Sequence, residues 1–231
     1  MMTRRILLTV AVVMAAAVQA LTGQTLYKPH LHVGGHAGMT LSQQSFNPSI
    51  EQKMLQGITM GASVTWAEER HVGLRAEVNL TQRGWHEDFT DTPEFSYTHR
   101  LTYIEVPLMT HIFFGSRRVK GFFNLGPQLC YMIGDNVDAN FDYHDIKSIP
   151  GFPTVNRTTE QMSMEVTNRF DYGICGGAGM ELTIKRKHCI SLEARYYYGL
   201  GNIFPSSKKD YFNASRGSAI MVTLGYQFRL K

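Results

Sequence analysis

Residues 218–228 alternate without a break. Ser218, Ile220, Val222, Leu224, Tyr226 and Phe228 fall on one side of an extended chain, and Ala219, Met221, Thr223, Gly225 and Gln227 fall on the other. Extended backbone sends successive side chains to opposite faces. One face is apolar and ends in aromatics, while the other is small or polar. That combination suits a barrel strand with lipid outside and a narrow, crowded interior.

The same period of two recurs near 30–41, 56–67, 71–84, 99–114, 120–133, 169–184 and 189–201, which predicts eight strands in all. In the third run, Val72, Leu74, Ala76, Val78 and Leu80 oppose Gly73, Arg75, Glu77, Asn79 and Thr81. In the seventh, Ile190, Leu192, Ala194, Tyr196 and Tyr198 oppose Ser191, Glu193, Arg195 and Tyr197. Pro107 and Pro127 sit inside two runs and remove ladder donors, which predicts bulges or local breaks there. Connections alternate in length. Ala67–Arg70, Gly115–Val119 and Lys185–His188 are short, whereas 42–55, 85–98, 134–168 and 202–215 are long. Short periplasmic turns and long external loops mark an up-and-down, all-β, eight-stranded antiparallel transmembrane barrel. The longest loop, Gly134–Asn168, reads as irregular and as the best contact surface, since loops on a rigid scaffold carry binding.

The beginning of the chain fits export. Arg4 and Arg5 precede an apolar run from Ile6 to Val18 and small residues up to Ala20. This predicts a secretory signal peptide within 1–23, cut after 20 or 23, and a single barrel domain over 24–231. The run is shorter than the ~20 apolar residues of a membrane-crossing helix. Loss of Arg4 and Arg5 takes the formal charge from +4 to +2. So small an excess, without basic clusters interleaved with aromatics, points away from nucleic acid. The mean hydropathy of −0.19 is uninformative, because only alternate residues of a barrel touch lipid.

A soluble barrel would show similar alternation with the apolar face inside. Three features place lipid outside. The polar face is rich in glycine (Gly61, Gly73, Gly126, Gly173, Gly177, Gly179, Gly225), which suits a tight lumen. Trp66, Phe114, Tyr131, Tyr172, Tyr226 and Phe228 lie near the ends of the apolar face, as an aromatic girdle would. The loop asymmetry is the third. Arg75, Glu77, Glu105, Glu181, Glu193 and Arg195 then point inward. Side chains just fill an eight-stranded interior, and buried charge must be paired. The expectation is a lumen plugged by Arg–carboxylate contacts; a gated ion path uses the same residues.

Four segments in order carry a family likeness: Tyr103-Ile104-Glu105-Val106-Pro107-Leu108, Gly121-Phe122-Phe123-Asn124-Leu125-Gly126-Pro127, Phe170-Asp171-Tyr172-Gly173 with Gly176-Gly177-Ala178-Gly179, and Arg195-Tyr196-Tyr197-Tyr198-Gly199-Leu200-Gly201-Asn202-Ile203. Together they resemble the PorT-like outer-membrane β-barrels of Bacteroidota-type bacteria. The resemblance implies an outer-membrane barrel of about eight strands. It also implies a family whose founding member serves type IX secretion and most of whose members have no assigned role. Fold alone does not assign a task.

Chemical motifs are sparse. His30, His32 and His36 share a face but lack accompanying ligands, so no metal site is expected. Ser191 and Ser218 have no motif tying them to His111 or His188, so no enzyme is expected, and a lipid enzyme ranks behind a channel. No cofactor is implied. Cys130, Cys175 and Cys189 are an odd set. Either all three pack as small residues, or Cys130 and Cys175 bridge adjacent strands and leave Cys189 to link a periplasmic partner. The reading is a non-catalytic outer-membrane barrel held in outer-membrane lipid, with envelope or secretion-system proteins as partners.

Overall fold

The computed structural model describes residues 30–67, 71–153, 157–206 and 210–230; the predicted leader lies outside them. Nine strands form among the described residues: β1 (His30–Asn47), β2 (Gln52–Lys53), β3 (Leu55–Ala67), β4 (Val72–Glu87), β5 (Tyr97–Gly115), β6 (Val119–Ala139), β7 (Phe170–Ile184), β8 (His188–Gly199) and β9 (Ala214–Arg229). Eight of them make a ring of antiparallel neighbours, from β1 through β3 to β9. The ring closes where β9 returns to β1, with Val33 opposite Phe228 and Leu41 opposite Ile220. β2 is a short ribbon laid on the outer end of β4, pairing Gln52 with Glu87. A bilayer demands such closure, because an unpaired strand edge in hydrocarbon leaves backbone donors and acceptors without partners.

The two faces separate as alternation requires. Met39, Val78, Leu125, Met180, Leu192 and Leu224 point outward and are more than half exposed or close to it, while Thr40, Thr81, Glu105 and Gln128 are buried inside the ring. No helix among the described residues is long and apolar enough to cross a membrane; the strands cross instead. His30 and Arg229, the ends of β1 and β9, lie at the same end of the ring as the three short turns. That end is periplasmic.

One expectation needs adjustment. The strands are longer than the alternation indicated: β1 runs on to Asn47, β4 to Glu87 and β6 to Ala139. Beyond the bilayer neither face must be apolar, so a strand continues there without its pattern. Pro107 and Pro127 do interrupt pairing. The β4–β5 ladder lapses between Ala76↔Leu108 and Asn79↔Glu105, and the β5–β6 ladder between Pro107↔Gln128 and Thr110↔Leu125. Neither lapse changes the register; β5 instead slips against β6 between Thr102 and Tyr103.

The long loops are not free arms. They fold over the external mouth as an aromatic cap. Phe46 packs on Trp85 and Phe212 with ring centroids 5.3 and 5.1 Å away, and Phe152 packs on Phe95 and Phe141 at 5.0 and 5.1 Å. The loop expected to be irregular contributes a 3₁₀ turn (Ile146–Ser148) and one α-helical turn, α1 (Glu160–Ser163), which buries Gln161 and Met162. Tyr97 donates its hydroxyl to the Met162 carbonyl at 3.0 Å, and the Gln161 amide donates to Glu87 Oε1 at 2.9 Å. Trp85, Phe204 and Phe212 are fully buried in this cap.

Candidate functional site

The lumen holds two layers of charge. In the layer nearer the periplasm, β4 presents Arg75 and Glu77 and β8 presents Glu193 and Arg195. In both pairs the partners stand two apart, which puts them on one strand face. Arg195 reaches across the barrel and donates from Nη1 and Nη2 to the two Glu77 oxygens at 2.6 and 3.0 Å. It also donates from Nε and Nη2 to Glu193 at 3.0 Å each. Arg75 Nε donates to Glu77 Oε1 at 2.6 Å, and its Nη2 lies 3.9 Å from Glu193. Asn79 donates to Glu77 Oε2 at 3.0 Å and Asn124 to Glu193 Oε1 at 2.9 Å. His36 Nε2 stands 3.7 Å from Glu77. Two guanidinium groups thus face two carboxylates with formal charge balanced, and all four are buried.

The outer layer centres on Arg83. Its Nε lies 3.0 Å from Glu105 Oε1 and its Nη2 lies 3.5 Å from Asp171 Oδ2. The guanidinium is sandwiched between the rings of Tyr103 and Tyr197, 4.2 and 4.4 Å from their centroids. The Tyr197 hydroxyl donates to Asp171 at 2.9 Å, and the Thr81 hydroxyl donates to Glu105 at 3.0 Å. Glycine makes this crowding feasible. A Cβ on Gly173 would stand 2.8 Å from the Tyr197 ring, and one on Gly177 would stand 2.8 Å from Glu193 Oε1.

The six charged positions singled out from sequence therefore part company. Arg75, Glu77, Glu193 and Arg195 meet in one layer. Glu105 belongs to the other. Glu181 is in neither: it sits near the periplasmic mouth, 3.6 Å from Lys120. Sequence reasoning missed Arg83 and Asp171 as ion partners. Arg83 continues the parity of Arg75, Glu77, Asn79 and Thr81, and that spacing was the available signal.

On the outer wall, Trp66, Phe114 and Tyr226 stand about half exposed at the periplasmic end, with Phe228 partly covered beside them. Tyr131 and Tyr172 stand about half exposed towards the external end, where Phe170, Tyr196 and Tyr198 join them. His188 hydrogen-bonds the Tyr226 hydroxyl at 2.8 Å, and His111 hydrogen-bonds Asn124 at 2.7 Å.

The thiol alternatives resolve against a bridge. All three cysteines are free and buried. Cys130 pairs opposite Asp171 and Cys175 opposite Gly126, so the two are offset by four ladder positions. At ~3.3 Å per residue that offset far exceeds the Cα separation a disulfide spans. Cys130 instead lies 3.6 Å from the Tyr197 hydroxyl and Cys175 3.5 Å from the Gly126 carbonyl. Cys189, only 2% exposed and 3.8 Å from Thr183 Oγ1, is not offered to a periplasmic partner.

At the cap, above the apolar outward run Val72–Leu80 of β4, burial pushes the Glu87 carboxyl up, opposed by hydrogen bonds from Gln161 and by Arg157. Hydrogen bonds from Thr90 and Lys53 hold the partly exposed Asp88 down to about 2.

The profile of the outer membrane protein beta-barrel domain family matches residues 23–205. The chain belongs to that family. It resides in the outer membrane of a Gram-negative cell. Members of this barrel class cross the bilayer as the ring described above does. Among solved structures, OprG of Pseudomonas aeruginosa is 7% identical, with a TM-score of 0.50 over 87% of this chain and 95% of that one. Outer Membrane Protein W of E. coli is 13% identical, with a TM-score of 0.41 over 88% and 100%. Ail of Yersinia pestis, in complex with the heparin analogue sucrose octasulfate, is 11% identical, with a TM-score of 0.39 over 86% and 99%. Likeness at such identity concerns the fold alone. No curated protein matches the chain.

Proposed function

We propose that this barrel is a non-catalytic, non-conducting component of the outer membrane, with a structural or interaction role in the envelope. The observation that carries this reading is the pair of stacked charge layers, in which Arg195 spans the lumen to Glu77 and Arg83 is clamped between Tyr103 and Tyr197. An ion moving along the axis would have to displace buried, multiply hydrogen-bonded pairs, and breaking one such pair costs ~3–5 kcal/mol. Planar-bilayer recording tests the reading. Purified barrel, shown to be inserted by its heat-dependent gel mobility, is expected to give no discrete conductance steps. Reproducible steps would replace this reading with that of a small gated channel.

The finer role is a contribution to protein export. The four PorT-like segments support it, type IX secretion included. Cross-linking in intact envelopes is expected to capture components of an export machine. Recovery of neighbours with no export component would remove that role and leave the structural one.

A further inference from the structure

The periplasmic mouth opens into a cavity of about 720 Å³. Arg117, Arg118, Lys120, Lys185, Arg186 and Arg229 line it, and Glu181 is the one carboxylate among the described lining residues. Lys120 is engaged, 3.6 Å from Glu181 and over the Phe113 ring. Arg117 and Arg118, in the β5–β6 turn, and Lys185 and Arg186, in the β7–β8 turn, have no carboxylate within ion-pair distance among the described residues.

The β7–β8 turn is also built against its own backbone preference. Lys185 and Arg186 are consecutive residues in the left-handed region, with φ of 50° and 61°, and the Lys187 amide closes the turn on the Ile184 carbonyl at 3.2 Å. Hairpin turns of this hand favour Asn-Gly, because side chains beyond those of Asn and Gly crowd the backbone there. Two long cations stand where folding alone would choose neither. Residues held in costly conformations concentrate where a function requires them.

We propose that this mouth is a docking bowl for an acidic, Asp/Glu-rich peptide segment of a periplasmic protein. The bowl lies inside the strand ring, floored by the inward-facing Thr65, His111 and Thr183, so it opens along the barrel axis to the periplasm and not sideways to lipid headgroups. Its volume is that of a pocket for a sizeable ligand, well beyond one tetrahedral anion. Its cations come from separate turns, and an extended acidic peptide offers a carboxylate at every residue, so several guanidinium–carboxylate contacts form together. The inference goes beyond the sealed-lumen reading and does not depend on it: a conducting barrel would carry the same bowl.

The test is binding of fluorescein-labelled hexa-aspartate to the full barrel in neutral detergent micelles at low salt, read by anisotropy. Wild-type protein is expected to bind it and not hexa-lysine. Arg117→Ser with Arg118→Ser, and separately Lys185→Asn with Arg186→Gly, are each expected to raise Kd about tenfold or more, since both remove facing charge. The second variant also gives the turn its favoured residues, so its melting temperature is expected to hold or rise, which separates lost binding from lost fold. No binding to wild type, or binding by both variants equal to that of wild type, overturns the proposal. Full displacement by millimolar inorganic phosphate would make the mouth a small-anion site, and binding gained only by vesicles containing phosphatidylglycerol would make it a lipid contact. Either result overturns the peptide assignment.

Discussion

Arg195→Ala is expected to lower the unfolding free energy of the barrel by about 3–5 kcal/mol, the cost of leaving a buried charge without its partner. Arg195 satisfies both oxygens of Glu77 across the lumen and both of Glu193 on its own strand. Its removal leaves two buried carboxylates sharing Arg75, which reaches Glu77 at 2.6 Å but Glu193 only at 3.9 Å. Alanine returns no donor and leaves a void in a close-packed interior. The measurement is urea unfolding from lipid vesicles followed by tryptophan fluorescence, with Trp66 on the lipid face and Trp85 in the cap as reporters. Adding Glu77→Gln to Arg195→Ala should recover part of the loss, because the orphaned charge is then gone. The double-mutant cycle isolates the cross-lumen contact. A change of less than about 1 kcal/mol would place these groups in water, as for exposed ion pairs, and would favour a hydrated pore.

That Arg195 and Glu77 would point inward could be read from the chain, because parity in a strand is a local property. Arg75, Glu77, Glu193 and Arg195 all alternate with residues such as Leu74, Val78 and Leu192 that must face lipid. Which inward charge meets which was not legible. Glu77 and Arg195 are 118 positions apart, and their contact depends on the stagger accumulated around the closed ring. Glu181 shows the same limit: its parity is inward, but its height along the barrel places it with Lys120, away from both layers. Arg83 and the cap were hidden for another reason. Above the bilayer, Gln82 and Gly84 take the outward positions beside Arg83, so the apolar stripe that announces a strand fades while the strand continues. The cap left a compositional trace. Of 13 phenylalanines, Phe89, Phe95, Phe141, Phe152, Phe204 and Phe212 lie between the strands, more than solvated loops need. Loops carrying such residues bury them against one another, and in this barrel they do so over the external mouth.

Arg83→Ala is the second large effect, also about 3–5 kcal/mol, and at this layer the rings separate charge from shape. Arg83 is the cation of its layer, with Glu105 and Asp171 both turned towards it. Without it the two carboxylates keep one hydroxyl each, from Thr81 and Tyr197, and no compensating charge between them. Arg83→Lys retains the charge but not the flat guanidinium that lies between Tyr103 and Tyr197, so it should recover only part of the loss. The stacking itself contributes about 0.5–2 kcal/mol at a desolvated site. Arg83→Met combined with Glu105→Gln and Asp171→Asn should come close to wild-type stability, because a buried ion cluster replaced as a whole by neutral groups of similar size is often no less stable. Unfolding measurements on this series separate two roles for the layer. If the neutral triple variant stays folded and closed to ions, the charges are one way of filling the lumen among others. If it stays folded but conducts in planar bilayers, Arg83 and its two carboxylates are what seals the barrel. A triple variant as unstable as Arg83→Ala would locate the cost in the packing between Tyr103 and Tyr197, and orphaned charge would no longer explain it.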